Sequence, residues 1–150
     1  MKALVRDHKK RGQTVVFANG CFDILHVGHI RYLEAAREQG DGLIVAVNSD
    51  ASVRRLKGTG RPVLDEKARA HLVAALRAVD YVIIFAEPSV AQLLEDLRPD
   101  VHAKGTDYTV ETVPEHAIAK ELGIRIAIVG DPKNHSTRVM LETLRKAPHA

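Results

Sequence analysis

The sequence predicts an α/β protein built on a doubly wound, mainly parallel sheet of five strands with helices on both faces. Short runs of β-branched and other apolar residues alternate with amphipathic stretches along the chain, which is the order of a parallel α/β fold. The runs are almost continuously apolar, as expected for strands that are covered on both faces. We expect the strands of this Rossmann-like sheet at Thr14–Asn19, Leu43–Asn48, Tyr81–Ala86, Val101–Lys104 and Ile124–Val129.

Amphipathic stretches and their end signals predict the helices. Gly40 and Gly123 follow predicted helices and are expected to be C-terminal caps, because glycine readily adopts the left-handed conformation that such caps use. Pro88 and Pro114 are expected to open helices, where the missing N–H would be unpaired anyway. Two sets of residues with the spacing i, i+3, i+4, i+7 predict buried helix faces: Leu72, Ala75, Leu76 and Val79, and Val90, Leu93, Leu94 and Leu97.

The chain length and the order of elements predict where a site would lie. The 150 residues fit a single domain, 1–150, without internal repeats or linkers. Its expected loops are 57–62 and 105–113. In doubly wound sheets, ligands bind beyond the carboxyl ends of the strands. A site is therefore expected among the residues that follow Asn19, Asn48, Ala86, Lys104 and Val129.

Composition argues against several kinds of partner and location. The net charge is +3, but the one basic run, 8–11, is expected to be the solvated end of a helix. Aromatic residues make up 4% and form no stacking platform, so a phosphorylated metabolite explains the charge better than nucleic acid does. We expect neither a signal peptide nor a membrane-spanning segment, because the first residues contain no apolar core and no later stretch approaches the required length. Since Cys21 is the only cysteine, we expect a cytoplasmic protein.

The most informative segment, NGCFDILHVGH, follows the first predicted strand. If His26 and His29 flank the first turn of the next helix, their spacing of three places both imidazoles on one face. Gly28 between them lets a ligand approach the backbone, and the helix N-terminus adds unpaired N–H groups that bind phosphate oxygens. This set of donors suits attack on phosphorus, whose transition state spreads negative charge over oxygens. A His-x-x-His pair alone would also fit a structural or metal-binding role, which the longer string disfavours.

The string HVGH resembles the HxGH motif of cytidylyltransferase-like nucleotidyltransferases. The longer run from Asn19 to Gly58 resembles the adenylyltransferase domain of ADP-heptose synthases, and the likeness extends from about Gly12 to Leu144. The resemblance implies adenylyl transfer from ATP to D-glycero-D-manno-heptose 1-phosphate, giving ADP-heptose and pyrophosphate for lipopolysaccharide or a related glycan. It also implies Mg²⁺ held largely by the triphosphate and a homodimer.

The resemblance also assigns roles to individual residues. His26 and His29 are expected to stabilise the α-phosphate, and Lys57 to reach the triphosphate or the acceptor phosphate. The residues assigned to the nucleotide are Gly20, Cys21, Phe22, Gly28, Arg69, Ser136 and Thr137. The residues assigned to the acceptor are Asp23, Asn48, Asp50, Lys104 and Asp107.

Several of these assignments have a plain structural alternative. Asp23 either orients the site or caps a turn, while Asn48 and Asp50 either line the pocket or cap a helix. Lys57 can be a solvated loop residue, and the segment from Lys104 to Asp107 can be an ordinary strand end. Cys21 is expected to be a packing residue and not a thiol nucleophile. The other histidines are expected to be structural or solvated: His8, His71, His102, His116 and His149.

Two local departures from the family pattern bear on these roles. Lys67 and Ala68 precede Arg69 where the family often has glutamate or glutamine, and Arg138 stands where the family often continues Ser-Thr-Thr. Arg138 either adds a phosphate contact or points outward.

The alternative functions are cytidylyl transfer from CTP to glycerol 3-phosphate or a similar phosphate, and a nucleotide-sensing module without turnover. The resemblance further suggests a stand-alone transferase that depends on a separate kinase for the sugar 1-phosphate.

Overall fold

A computed structural model describes residues 1–132 and 137–146, with the side chains of 140–144 and 146 in the last segment. All five predicted strands form and pair in parallel in the order β3-β2-β1-β4-β5. Their bounds differ from the predicted ones by one residue at most at either end. The strands are β1 (Val15–Gly20), β2 (Gly42–Asn48), β3 (Tyr81–Phe85), β4 (Val101–Gly105) and β5 (Arg125–Val129).

Helices connect the strands and cover the sheet. The basic run 8–11 includes the last turn of the first helix, as predicted, and two helices lie between β2 and β3. None of the helices in the described ranges is long and apolar enough to cross a membrane. The helices are α1 (Lys2–Lys10), α2 (Val27–Arg37), α3 (Asp50–Lys57), α4 (Glu66–Ala74), α5 (Ala91–Leu97), α6 (His116–Glu121) and α7 (Thr137–Lys146), with a 3₁₀ turn at Val110–Thr112.

Two apolar clusters, one on each face of the sheet, form the core. Val16 and Ala18 of β1 contribute to one cluster with Leu33 of α2, whereas Val15 and Phe17 contribute to the other. This alternation follows from the pleat of a strand, in which successive side chains point to opposite faces. The doubly wound α/β class predicted from the sequence is therefore confirmed.

One of the two predicted apolar helix faces is correct, and the other is correct only for Leu76 and Val79, which pack against the core after the end of α4. Val90, Leu94 and Leu97 are buried, as expected. In α4, however, Leu72 is 42% exposed, and the inward positions belong to Arg69 and Val73, which are both fully buried. The apolar spacing was misleading because a charged side chain occupies one core-facing position.

The residues predicted to cap or open helices are only partly correct. Gly123 follows the C-cap of α6 with φ +70°, as predicted for a capping glycine. Gly40 does not cap α2, whose C-cap is Glu38. Pro88 and Pro114 precede helices that begin at 91 and 116, so neither proline opens its helix.

Gly40 is needed for close packing instead. A Cβ at this position would lie 2.7 Å from the Thr14 carbonyl oxygen and 2.8 Å from Val16 Cγ2. We therefore expect Gly40→Ala to lower the free energy of unfolding by about 1–3 kcal/mol, measured by urea denaturation. Gly42→Ala is the control, since its Cβ would make ordinary contacts from 3.4 Å outward. Equal stabilities of the two variants would contradict this explanation.

Candidate active site

A cavity of about 910 Å³ opens at the carboxyl edge of the sheet and receives residues from the ends of all five strands. This position is the one that a doubly wound fold predicts, and the volume suits a nucleotide-sized ligand. Most of the predicted site residues line it: Gly20, Cys21, Phe22, Asp23, His26, Gly28, His29, Asn48, Lys57, Lys104 and Asp107.

Two predicted residues do not line the cavity, and three further residues lie wholly or partly outside the described part of the chain. Arg69 and Asp50 lie behind its wall. Ser136 lies outside the described residues. Thr137 opens α7, and Arg138 follows it, but their side chains also lie outside the described part.

The two histidines of the HVGH segment stack on each other at the start of α2. His26 is the N-cap of this helix, and the centroids of the His26 and His29 rings are 3.9 Å apart with an angle of 26° between the planes. The Gly28 N–H donates to Nδ1 of His26 at 3.2 Å, so neutral His26 carries its proton on Nε2. The Phe22 ring packs edge-on against His29, with centroids 5.3 Å apart. The local fold thus places two imidazoles and a helix N-terminus at one cavity wall, as the sequence predicted.

Asp23 holds a neighbouring loop in place. Its side chain is almost fully buried, and it accepts hydrogen bonds from Val63 N at 2.7 Å, Leu64 N at 3.1 Å and the Arg61 guanidinium. These contacts favour the orienting role over the turn-capping role for Asp23. They also commit its carboxylate to the protein, although Asp23 reaches the cavity wall.

Arg69 joins three segments from behind the cavity. Its fully buried guanidinium donates to the Cys21 carbonyl at 2.6 Å, the Leu64 carbonyl at 2.9 Å and Asp50 Oδ1 at 2.8 Å. The predicted phosphate contact is not available to Arg69 in this conformation, because it has no exposed surface. The geometry instead makes Arg69 a residue that positions the loop after β1.

The end of β2 combines the two interpretations that the sequence left open. Asn48 lines the cavity, yet its Nδ2 donates to Ser52 Oγ at 3.0 Å. The cap of α3 is Ser49, which accepts from Ser52 N at 3.2 Å. Asp50 lies in the first turn of α3 and pairs with Arg69. The helix cap is therefore Ser49 and neither Asn48 nor Asp50, while Asn48 lies on the cavity wall.

Lys104 lies in a buried polar cluster at the end of β4. Its Nζ is 3.5 Å from Glu115 Oε2, 3.3 Å from Asn19 Oδ1 and 4.8 Å from the centroid of the Tyr108 ring. Glu115 is buried and lines the cavity, although the sequence gave no motif that would single it out. Its one visible signal was its place directly after Pro114 in the segment that follows β4.

Cys21 lies in the loop after β1, on the cavity wall. Burial raises the pKa of Cys21, and the nearby charges of Lys57 and Arg69 oppose this only in part. Because the thiolate is the reactive form, we expect iodoacetamide to alkylate the folded protein at least about threefold more slowly at pH 8 than the urea-unfolded protein. Equal rates, measured by mass spectrometry, would contradict the raised pKa.

Within residues 1–132 and the described side chains of the last helix, no three histidine, cysteine, aspartate or glutamate side chains come together as a metal site. Asp23 already accepts three hydrogen bonds from the protein, and Glu115 faces Lys104.

The parallel sheet and the stacked histidines at the start of α2 are the arrangement of a Rossmann-like nucleotidyltransferase. The chain belongs to the cytidylyltransferase-like family, whose model matches residues 17–144. It is 50% identical over 142 residues to the bifunctional protein HldE of Pseudomonas aeruginosa strain LESB58, covering 95% of this chain and 30% of that protein. It is 45% identical over 144 residues to the bifunctional protein HldE of Syntrophotalea carbinolica, covering 96% of this chain and 29% of that protein.

A solved structure supports the fold assignment. The chain matches the crystal structure of the lipopolysaccharide core biosynthesis protein from Thermoplasma volcanium GSS1 with a TM-score of 0.69 and 31% identity, covering 81% of this chain and all of that one. The chain spans about 30% of the length of the curated relatives it matches.

Proposed function

We propose that the protein transfers the adenylyl group of ATP to D-glycero-D-manno-heptose 1-phosphate and releases pyrophosphate. A phosphate oxygen of the sugar phosphate forms the new bond to the α-phosphorus, and the bond from that phosphorus to the bridging oxygen of pyrophosphate breaks. The observation that carries the proposal is the stacked pair His26 and His29 at the N-terminus of α2 inside the cavity. Relatives that share 45–50% identity and are called HldE support the choice of substrates.

The chemistry needs donors and not a covalent nucleophile. Negative charge grows on the oxygens around the α-phosphorus in the transition state, and donors fixed in advance stabilise it without reorganising. The imidazoles of His26 and His29 are such donors. The Gly28 and His29 N–H groups are engaged with His26, so the start of α2 contributes through the partial positive charge of the helix dipole. Lys57, at the end of α3 on the cavity wall, supplies a positive charge for the triphosphate or the acceptor phosphate.

We further propose that Mg²⁺ enters with ATP and is held largely by the triphosphate oxygens. Two of the carboxylates on the cavity wall fit this view, because Asp23 is occupied by the 61–64 segment and Glu115 faces Lys104. Bound there, the ion would neutralise part of the triphosphate charge. A homodimer, a cytoplasmic location and a role in lipopolysaccharide assembly complete the proposal.

A substrate panel tests the proposal directly. The protein is incubated with ATP or CTP and with either anomer of heptose 1-phosphate or glycerol 3-phosphate, and pyrophosphate is measured. We expect turnover with ATP and one heptose 1-phosphate anomer. Turnover with CTP and glycerol 3-phosphate but none with ATP would overturn the heptose proposal in favour of cytidylyl transfer. Nucleotide binding without turnover of any pair would favour the sensing module.

A further inference from the structure

The side chain of Asn19, at the end of β1, is held in one orientation by two neighbours on β4. Asn19 Oδ1 is 3.1 Å from Nε2 of His102 and 3.3 Å from Nζ of Lys104. The Lys104 ammonium can only donate, so the Asn19 atom that faces it must be the amide oxygen. Neutral His102 must then carry its proton on Nε2 in order to donate to the same oxygen.

The surroundings of His102 favour the neutral imidazole that this contact requires. It is fully buried, and burial, with a smaller effect of the Lys104 charge, lowers the pKa of His102 to about 3. Its Nδ1 is buried and has no hydrogen-bond partner within the described part of the chain. An unmade hydrogen bond of this kind costs stability, which indicates that the contact with Asn19 Oδ1 decides the ring's orientation.

The orientation leaves the amide nitrogen of Asn19 as the group that can meet a ligand. Asn19 is only partly buried and lines the cavity. With Oδ1 occupied by two donors, both N–H groups of Nδ2 are donors without an acceptor among the described residues. The charges beside it are balanced, since Lys104 faces Glu115 at 3.5 Å and His102 is neutral.

We propose that Asn19 is a substrate-binding residue whose amide N–H groups donate to an oxygen of the bound nucleotide or sugar phosphate, and that His102 is the positioning residue that fixes this amide. This inference rests on the proposed function for the identity of the two ligands. It differs from a purely structural role for Asn19, which would engage both ends of the amide with the protein.

Asn19→Asp is the sharpest variant, because it keeps the shape and the oxygen that faces Lys104 but removes both N–H donors. We expect Asn19→Asp and Asn19→Ala to weaken the binding of one ligand at least about fivefold, as for a lost hydrogen bond to a charged or polar group. ATP affinity is measured by calorimetry without acceptor, and the KM of heptose 1-phosphate by pyrophosphate release. Gln92→Ala, which shortens an exposed amide on α5, is the control and should change neither value by more than twofold.

The two measurements separate the possible results. A change in ATP affinity assigns the contact to the nucleotide, and a change confined to the acceptor KM assigns it to the sugar phosphate. Because ATP binding needs no turnover, failure of the unmodified protein to use heptose 1-phosphate counts against the proposed function alone. Unchanged ATP affinity and unchanged acceptor KM in both Asn19 variants would overturn the assignment of Asn19.

A double-mutant cycle tests the positioning role of His102. His102→Phe keeps a buried ring but removes the donor, and it should weaken the same ligand that Asn19→Ala weakens. The affinity of the double variant for that ligand should then lie within about twofold of the affinity of Asn19→Ala alone, since both changes remove one shared contact. His71→Phe on the exposed side of α4 is the matched control. Additive losses in the cycle would show that His102 acts through general stability and would overturn its positioning role.

Discussion

Replacing His29 with alanine is expected to lower kcat by at least about 100-fold while ATP binding remains measurable. The structure places His29 against His26 with ring centroids 3.9 Å apart and packs it edge-on against Phe22. A donor held this firmly is ready for charge that develops only in the transition state, so its removal affects turnover more than binding. Steady-state pyrophosphate release gives kcat, and calorimetry with ATP gives the dissociation constant.

The control for this prediction is His71→Ala, which removes an exposed imidazole from α4 and should leave kcat within twofold. His26→Ala is the companion variant. It also removes the acceptor for Gly28 N, so it should lower stability as well as turnover, by about 1 kcal/mol for a lost N-cap. Unchanged kcat in His29→Ala would remove the central donor from the proposed mechanism.

Much of the fold could be predicted because the strands carry a strong local signal. The central strands β1, β2 and β4 are buried along most of their length, and strands covered on both faces have largely apolar runs whose limits are legible. The helix α4 lacked such a signal, because Arg69 occupies a core-facing position and Leu72 is exposed. A pattern of apolar residues cannot show that a charged side chain is buried, since burial of this kind depends on partners that are distant in the sequence.

The separation of contacting residues along the sequence also explains which parts of the site could be predicted. The histidine pair and the glycine between them lie within four consecutive residues, so their local arrangement follows from the sequence. The contacts of Asp23 with the 61–64 segment span about 40 residues, and the contact of Arg69 with Cys21 spans 48. His102 and Asn19 meet only because β4 lies beside β1. Contacts of this kind require the strand order, which no motif in the chain specifies.

Arg69→Met is expected to lower the free energy of unfolding by about 3 kcal/mol, because it leaves buried groups without their charged donor. Methionine has a similar length but cannot donate to the Cys21 and Leu64 carbonyls or to Asp50. For a chain of this size the loss corresponds to a fall in Tm of about 6–12 °C. Urea denaturation and calorimetric melting measure it, and Arg77→Met, at an exposed position after α4, is the control.

The same variant decides between two roles for Arg69. If Arg69 positions the loop after β1 from behind, Arg69→Met lowers the free energy of unfolding. Its ATP affinity then falls only as far as disorder of that loop weakens binding. If Arg69 contacts the triphosphate, as the family resemblance implied, stability changes little and ATP affinity falls steeply in proportion to the lost charge. Arg69→Lys sharpens the distinction, because one ammonium keeps a charge for phosphate but cannot bridge three acceptors in a plane. Loss of stability in Arg69→Lys together with near-normal ATP affinity would therefore establish the positioning role.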